Sequence, residues 1–373
     1  MVFVEKLFDP ERRELAELYH EKQKKYNRYS KFILLVFWII FFYLAFEIKL
    51  YNIIGGWIAN REISIFVYIA VFFLLYSAVN ILIEYLLFYR LDREFELSNQ
   101  NSVEWFSDNI KGLLLGLVIL YAGGRLFIYT VERWPVSWWI PFSVVSVLFV
   151  ILFTFLFPKV VLPIFFTLEE YPEGSLKERL FDLIERTGLK VKEIYEINLS
   201  SKMNYGNAGV MGFGKTRKII LGDNLTDNFN EEEIEAILAH ELGHHANGDI
   251  IKNLVFQPFS IFIVSFIISH LREPLMSWMG YQNIIYSLPL ILLVWKFFDW
   301  LISPLFLYLS RRFERAADQY ALEKIENPRS FASALAGLAD EGLAELDYGL
   351  YKLLFKASHP PIGERVENIL NKN

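Results

Sequence analysis

Cysteine is absent from all 373 residues. No disulfide can staple this chain, and no thiolate can bind a metal or act as a nucleophile. Histidine is scarce, with only six residues, so any grouping of two or three stands out. Overall charge is not strongly of one sign. The net charge is −6 and there is no basic stripe of the kind that binds nucleic acid, so nucleic acid is not expected as a partner. Internal repeats and low-complexity tracts are missing. No cleavable leader is expected, because the first apolar block lies behind the polar residues 1–31 and lacks a small-residue cleavage site.

What the chain has in excess is apolar residues, 54% hydrophobic and 17% aromatic. They come in blocks at 32–52, 64–90, about 110–131, 137–162, 252–271 and 284–309. A helix needs about 20 such residues to cross the hydrocarbon of a bilayer, and core helices of soluble proteins are usually shorter. Six spans are therefore expected, in a multi-pass protein of the cell membrane. Lys6, Arg12, Arg13, Lys22, Lys24, Lys25, Arg28 and Lys31 crowd the N-terminal flank. Lys49, Arg61 and Arg272 are nearly alone near the opposite ends. The positive flank stays cytoplasmic, which puts both termini and the 163–251 segment on that side. Trp134, Trp138 and Trp139 suit an interfacial belt before the fourth span. Pro158 and Pro163 are expected to kink its end.

The chain divides into four parts on this reading. Residues 1–162 carry four spans, 163–251 form a polar insert, 252–309 hold two more spans, and 310–373 form a polar tail. Within the insert, Ser175 and Glu178 read as a capping box and Gly188 as a helix end. "EIYEINL" reads as a strand, and 207–213 and 217–221 as a hairpin turning through Gly214–Thr216. Asn230 caps an amphipathic helix, "EEEIEAILAHELGHHA", that stops at Asn247-Gly248.

That helix carries His240, Glu241 and His244. Positions i and i+4 share a face, so both imidazoles can reach one ion. Glu241 lies about 100° round the helix, close enough to take a proton from water at the metal without ligating it. A solvated helix end with an idle histidine pair has the same local sequence, so a third ligand decides the matter. "SRRFERAADQYAL" offers Glu314 and, four residues on, Asp318. Glu314 completes a two-histidine, one-carboxylate set. Asp318 can accept the far N–H of a ligating histidine and fix its tautomer. Alone, Glu314 would read as a surface partner of Arg311 or Arg315. With the two histidines it predicts one Zn2+ per chain. Zinc acidifies water and polarises a carbonyl, and hydrolysis of a peptide bond needs both effects. Glu241 would act as general base and then as general acid.

With these residues in place, the chain resembles the type I CAAX prenyl proteases, a family of integral-membrane zinc metalloproteases. "AILAHELGHH", "SRRFERAAD", "NAGVMGFGKTRKIIL", "SHPPIGERVENI" and "FELSNQNSVEWFSDNIKGLLLG" carry the likeness, which runs from about residue 18 to 370. The small heat-shock protease HtpX shares the zinc motifs but has two spans before them, against four here. Eukaryotic members have seven spans, so the likeness implies a shorter, prokaryotic-type relative. It implies a mainly α membrane bundle enclosing a chamber, with a cytoplasmic zincin-like layer containing a short β-sheet. It also implies action on membrane-associated or lipid-modified peptides, and the chain is expected to be a monomer. Asn207 and Ala208 would open an edge strand to which a peptide adds. His359 and Arg365 would donate to the substrate carbonyl or the oxyanion. Glu84, Arg125, Lys296 and Asp299, charged at membrane depth, would face a cavity, although Lys296 and Asp299 could equally pair with each other. His245 reads as a surface residue turned from the site, and His20 and His270 as bystanders. A non-catalytic scaffold, a metal transporter and a site-2-type protease are the competing functions. The intact Glu241 opposes the first, a ligand set outside the spans the second, and an amphipathic metal helix the third.

Overall fold

The computed structural model describes residues 5–372, the Glu5 and Gln257 side chains excepted. Met1–Val4 and Asn373, the outer ends of the expected cytoplasmic termini, lie outside the described residues. Helix α1, Pro10–Tyr43, starts where Asp9 accepts from the backbone N–H of Glu11 and Arg12, with proline at the first helical position. Its apolar half should run on as the first span. Instead Ala45 adopts left-handed dihedrals, φ 49° and ψ 43°, and α2, Phe46–Trp57, leaves at a 57° bend. The expected span 32–52 is thus a broken one. No glycine or proline marks the break. Glu47 sits just past it, 1% exposed, and accepts from the Tyr281 hydroxyl at 2.7 Å.

Five unbroken helices are long and apolar enough to span a bilayer among the described residues, and six if the bent pair counts as one. They are α3 (Arg61–Glu94), α4 (Ser102–Arg133), α5 (Trp139–Phe165), a helix at Asp249–Met279 and one at Ile284–Lys324. Pro158 does deform α5. Proline has no N–H to give, and the turn Phe157–Val161 widens so that Leu162 bonds back to Phe157. Trp138 does not join an interfacial belt. It is 1% exposed and packs edge-on against Phe127, with ring centroids 5.1 Å apart. Lys296 bonds the Tyr76 hydroxyl at 2.9 Å rather than Asp299. Arg125 grips Glu62 with two nitrogens, at 2.7 and 3.0 Å. Glu84, with Tyr76, Asn80, Asp108 and Asn109, lines a cavity of ≈ 380 Å³ between α3 and α4.

A four-stranded sheet fills the polar layer, in the order β1-β2-β4-β3. Its strands are β1 (Leu168–Glu170), β2 (Val191–Ile197), β3 (Ala208–Met211) and β4 (Arg217–Gly222). β2 and β4 run parallel, and β3 pairs antiparallel with β4 in the register Val210 to Ile219. The hairpin therefore forms as its sequence suggests, with β3 on an edge. Helix α6, Ser175–Thr187, ends at Gly188 in the left-handed region, φ 68°. Ser175 does not cap it. Gly174 holds that place, and the Ser175 hydroxyl donates to Glu231 instead.

After the short α7, Asp223–Asn228, comes the metal-motif helix α8, Glu231–Ala246. Asn230 caps it in a full capping box with Glu233. It is not amphipathic. Ile234 through His240 are all buried, because α6, the sheet and the C-terminal helices enclose it. Its buried carboxylate, Glu235, is met by Arg179 and Arg186 of α6. The Asp249–Met279 span is α9, and α10, Leu288–Lys324, runs from the membrane into the polar layer without interruption. Helices α11 (Pro328–Glu341) and α13 (Ile362–Leu370) close the core around Leu180, Leu183, Ile219, Phe331 and Val366, while the short α12 (Leu350–Phe355) between them buries no residue. The start of α1 is latched to this layer. Arg12 donates to the Asp340 and Glu341 carbonyls at 3.0 Å each, and His20 bonds the Leu343 carbonyl at 2.7 Å. So His20 has a structural partner in a segment far away in sequence.

Candidate metal centre

The site forms where α8 crosses α10, and Gly243 permits the crossing. A Cβ at this position would stand 3.1 Å from both the Cα and the carbonyl oxygen of Ala317. The glycine lets the backbones close up, so that the face carrying His240 and His244 meets the face carrying Glu314.

At the crossing, His240 Nε2 lies 3.4 Å from Glu314 Oε2, and His244 Nε2 lies 3.4 Å from Glu314 Oε1. The candidate ligand atoms of the three residues all lie within 4.8 Å of one another. His240 and Glu314 are buried, yet Glu314 Oε2 has no hydrogen-bond partner among the described residues. A buried carboxylate oxygen without a partner is costly. The donor set also draws positive charge. Burial opposes any charge on His244, but Glu314 and Asp249 push its pKa up to about 9. Burial likewise opposes ionisation of Glu314, but the two imidazoles hold its carboxyl well below the usual range. A divalent cation satisfies the same field and occupies the unpartnered oxygen, so these residues fit a metal of the two-histidine, one-carboxylate kind.

Around this set stand carboxylates and an arginine. Asp318 Oδ1 is 2.9 Å from His240 Nδ1, within ion-pairing distance although off the line of a hydrogen bond. Arg365, buried on α13, grips Asp318 with Nε at 2.9 Å and Nη2 at 2.6 Å, and its Nη1 lies 4.0 Å from Glu314 Oε2. His359 Nε2 reaches Glu314 Oε1 at 3.2 Å, with the His359 side chain 56% exposed. Burial pushes the Glu241 carboxyl up, against the pull of the two neighbouring histidines. Glu241 makes no hydrogen bond to another described residue and is free to meet a ligand.

Six of the residues singled out in the sequence, His240, His244, Glu314, Asp318, His359 and Arg365, converge in one cluster. Asn207 and Ala208 open the edge strand, where the Asn207 carbonyl accepts from Gly222 N–H at 2.8 Å. No hydrogen bond or ion pair joins them to the cluster among the described residues. Their strand reaches α8 through His245, whose Nε2 bonds the Val210 carbonyl at 2.9 Å. Arg217 Nε donates to His245 Nδ1 at 3.0 Å. Arginine only donates, so His245 is neutral with its proton on Nε2. It is a strut between strand and metal helix, where the sequence suggested only a surface residue. Sequence reasoning also missed Asp249, whose Oδ2 accepts from His244 Nδ1 at 3.0 Å. Its one signal was an acidic residue directly after the helix-ending Asn247-Gly248.

Fold and site together define a membrane-embedded metallopeptidase. The comparisons agree with that class. The description "Peptidase family M48" matches residues 170–373, and "CAAX prenyl protease N-terminal, five membrane helices" matches 3–167. The chain belongs to peptidase family M48. It is 25% identical to the uncharacterized metalloprotease YhfN of Bacillus subtilis over 75% of this chain and 67% of that one. It is 24% identical to the human CAAX prenyl protease 1 homolog, over 72% of this chain and 66% of that protein. The CAAX prenyl protease 1 of Saccharomyces cerevisiae is 25% identical over 78% and 68%. The matches thus span about two thirds of these relatives. The crystal structure of S. mikatae Ste24p superposes with a TM-score of 0.87 at 21% identity, covering 97% of this chain and 90% of that one. That likeness speaks for the fold.

Proposed function

We propose that the chain is a zinc endopeptidase that cleaves membrane-associated peptides, lipid-modified ones among them, on the cytoplasmic side of the membrane. One observation carries this reading: two histidines and a glutamate converge around an unpartnered buried oxygen, beside an uncommitted Glu241. His240, His244 and Glu314 would hold one zinc per chain. When bound, the ion supplies Lewis acidity that activates water and polarises the scissile carbonyl. Glu241 takes the proton and returns it to the leaving amine, and a carboxyl raised by burial is suited to both transfers. Asp318, fixed by the Arg365 fork, orients His240. Arg365 then serves mainly to position Asp318, and the more exposed His359 is the better placed donor to the carbonyl oxygen. The Asn207–Ala208 edge of β3 would pair with the extended peptide. Relatives named CAAX prenyl proteases support the lipid-modified substrate class, and the basic flank of α1 supports the cytoplasmic side.

The test is zinc content together with cleavage of a fluorogenic peptide by the purified chain. Stoichiometric zinc and cleavage, both lost in Glu314→Gln, are expected. Full zinc and full cleavage in Glu314→Gln would remove the third ligand and the reading with it.

A further inference from the structure

We propose that Asp249 is the positioning residue for His244, and that through it the metal centre is tied to the start of the membrane helix α9. The inference rests on the zinc reading above. Asp249 is only 2% exposed, and a buried carboxylate requires partners. It has two. Oδ2 accepts from His244 Nδ1 at 3.0 Å, and Oδ1 lies 2.9 Å from Lys252 Nζ.

The contact is built by the turn. In a continued helix a residue five positions on would lie about 140° round the axis from His244. Asn247 ends α8, and Gly248 takes the left-handed region, φ 70°. The chain folds back there and brings the first residue of α9 onto the imidazole. The consequence is a fixed tautomer. An ionised carboxylate only accepts, so Nδ1 carries the proton and the Nε2 lone pair is left facing Glu314. Asp318 Oδ1 lies 2.9 Å from His240 Nδ1, at ion-pairing distance though off the hydrogen-bond line, so each metal-facing histidine has a carboxylate of its own, and only that of His244 is hydrogen-bonded.

The two carboxylates differ in their own support. Asp318 is clamped by the buried Arg365 fork. Asp249 has Lys252, whose side chain is 43% exposed. Lys252 also sits 4.9 Å over the ring of Phe313, the residue before Glu314. Asp249 and Lys252 thus link the first turn of α9 to both protein arms of the metal set. No further group is needed to account for a buried aspartate at this place.

The experiment is chelator competition for zinc on the full-length purified protein, with cobalt substitution as a spectroscopic readout. Removing such an orienting carboxylate typically weakens a metal by about ten- to a hundredfold. Asp249→Ala is expected to lose zinc affinity in that range and to shift the visible cobalt bands. Asp249→Asn keeps an acceptor oxygen and is expected at the low end, about tenfold. Should Asp249→Ala fail to fold, Asp249→Asn decides alone. Unchanged zinc affinity and unchanged cobalt bands in the folded variant would overturn the proposal. If the parent protein itself binds no zinc, the metal reading fails instead, and the two failures are distinct.

Discussion

Gly243→Ala should loosen the metal without touching a ligand. The added Cβ meets the Ala317 Cα and carbonyl oxygen at 3.1 Å and the Tyr320 Cβ at 3.3 Å. Two of these are backbone atoms of a long packed helix and cannot swing aside. Overpacking of this kind costs about 1–3 kcal/mol. Alanine in a helix recovers up to about 1 kcal/mol over glycine. The balance is a loss of up to about 2 kcal/mol, and it falls on the crossing that sets the distance between His240, His244 and Glu314. Metal ligation tolerates about 0.2 Å, which is less than the separation the methyl demands. If that strain is borne by the metal-bound geometry, zinc affinity falls by up to about thirtyfold. Chelator competition on the purified protein measures it. Gly112, where a Cβ meets nothing within 4 Å, is the control, and Gly112→Ala should leave zinc affinity alone. Parental zinc affinity in Gly243→Ala would show that the crossing does not set the site.

Three further outcomes are expected. Glu345, burial notwithstanding, is held down to about 2 by Lys24 and Lys352. A depressed carboxyl stabilises the fold above its unfolded pKa. The latch between α1 and the C-terminal layer should therefore weaken as pH falls from the ordinary glutamate range toward about 2; Glu345→Gln should flatten that part of the thermal-midpoint profile. Arg365→Lys should weaken zinc by about tenfold, since an ammonium cannot reproduce the two-pronged grip on Asp318, and chelator competition would register it. A single cysteine at Ser175, in a chain with no other cysteine, should be labelled by membrane-impermeant reagent only after cells are opened; labelling from outside intact cells would reverse the sidedness.

How much of this was legible in the sequence depended on whether the information was local. His240, His244, Glu314 and Asp318 stood out because helical spacing alone puts each pair on one face. The hairpin and the Asn230 cap were legible for the same reason, since turn and cap chemistry lie within a few residues. Features set by tertiary contact were not. The break at Ala45 has no breaker residue and depends on where Glu47 can be buried beside Tyr281. The α8 pattern looked one-sided because its charges suggested solvent. Glu235 is in fact buried against two arginines from α6, which no reading of α8 by itself reveals. Ser175 has the sequence of a cap, but a better partner for its hydroxyl, Glu231, lies 56 residues away. His245 was set aside because it points away from the metal face, and its value as a strut depends on where β3 docks. Asp249 was overlooked because the turn that delivers it lies between two helices read separately.

The central claim is that Glu241 moves the proton while other residues hold the metal. Glu241→Gln keeps the shape and removes the base. The account predicts peptide cleavage lower by about a hundred- to ten-thousandfold, with zinc content unchanged, because His240, His244 and Glu314 are untouched. Cleavage at the parental rate by a zinc-loaded Glu241→Gln protein would contradict it.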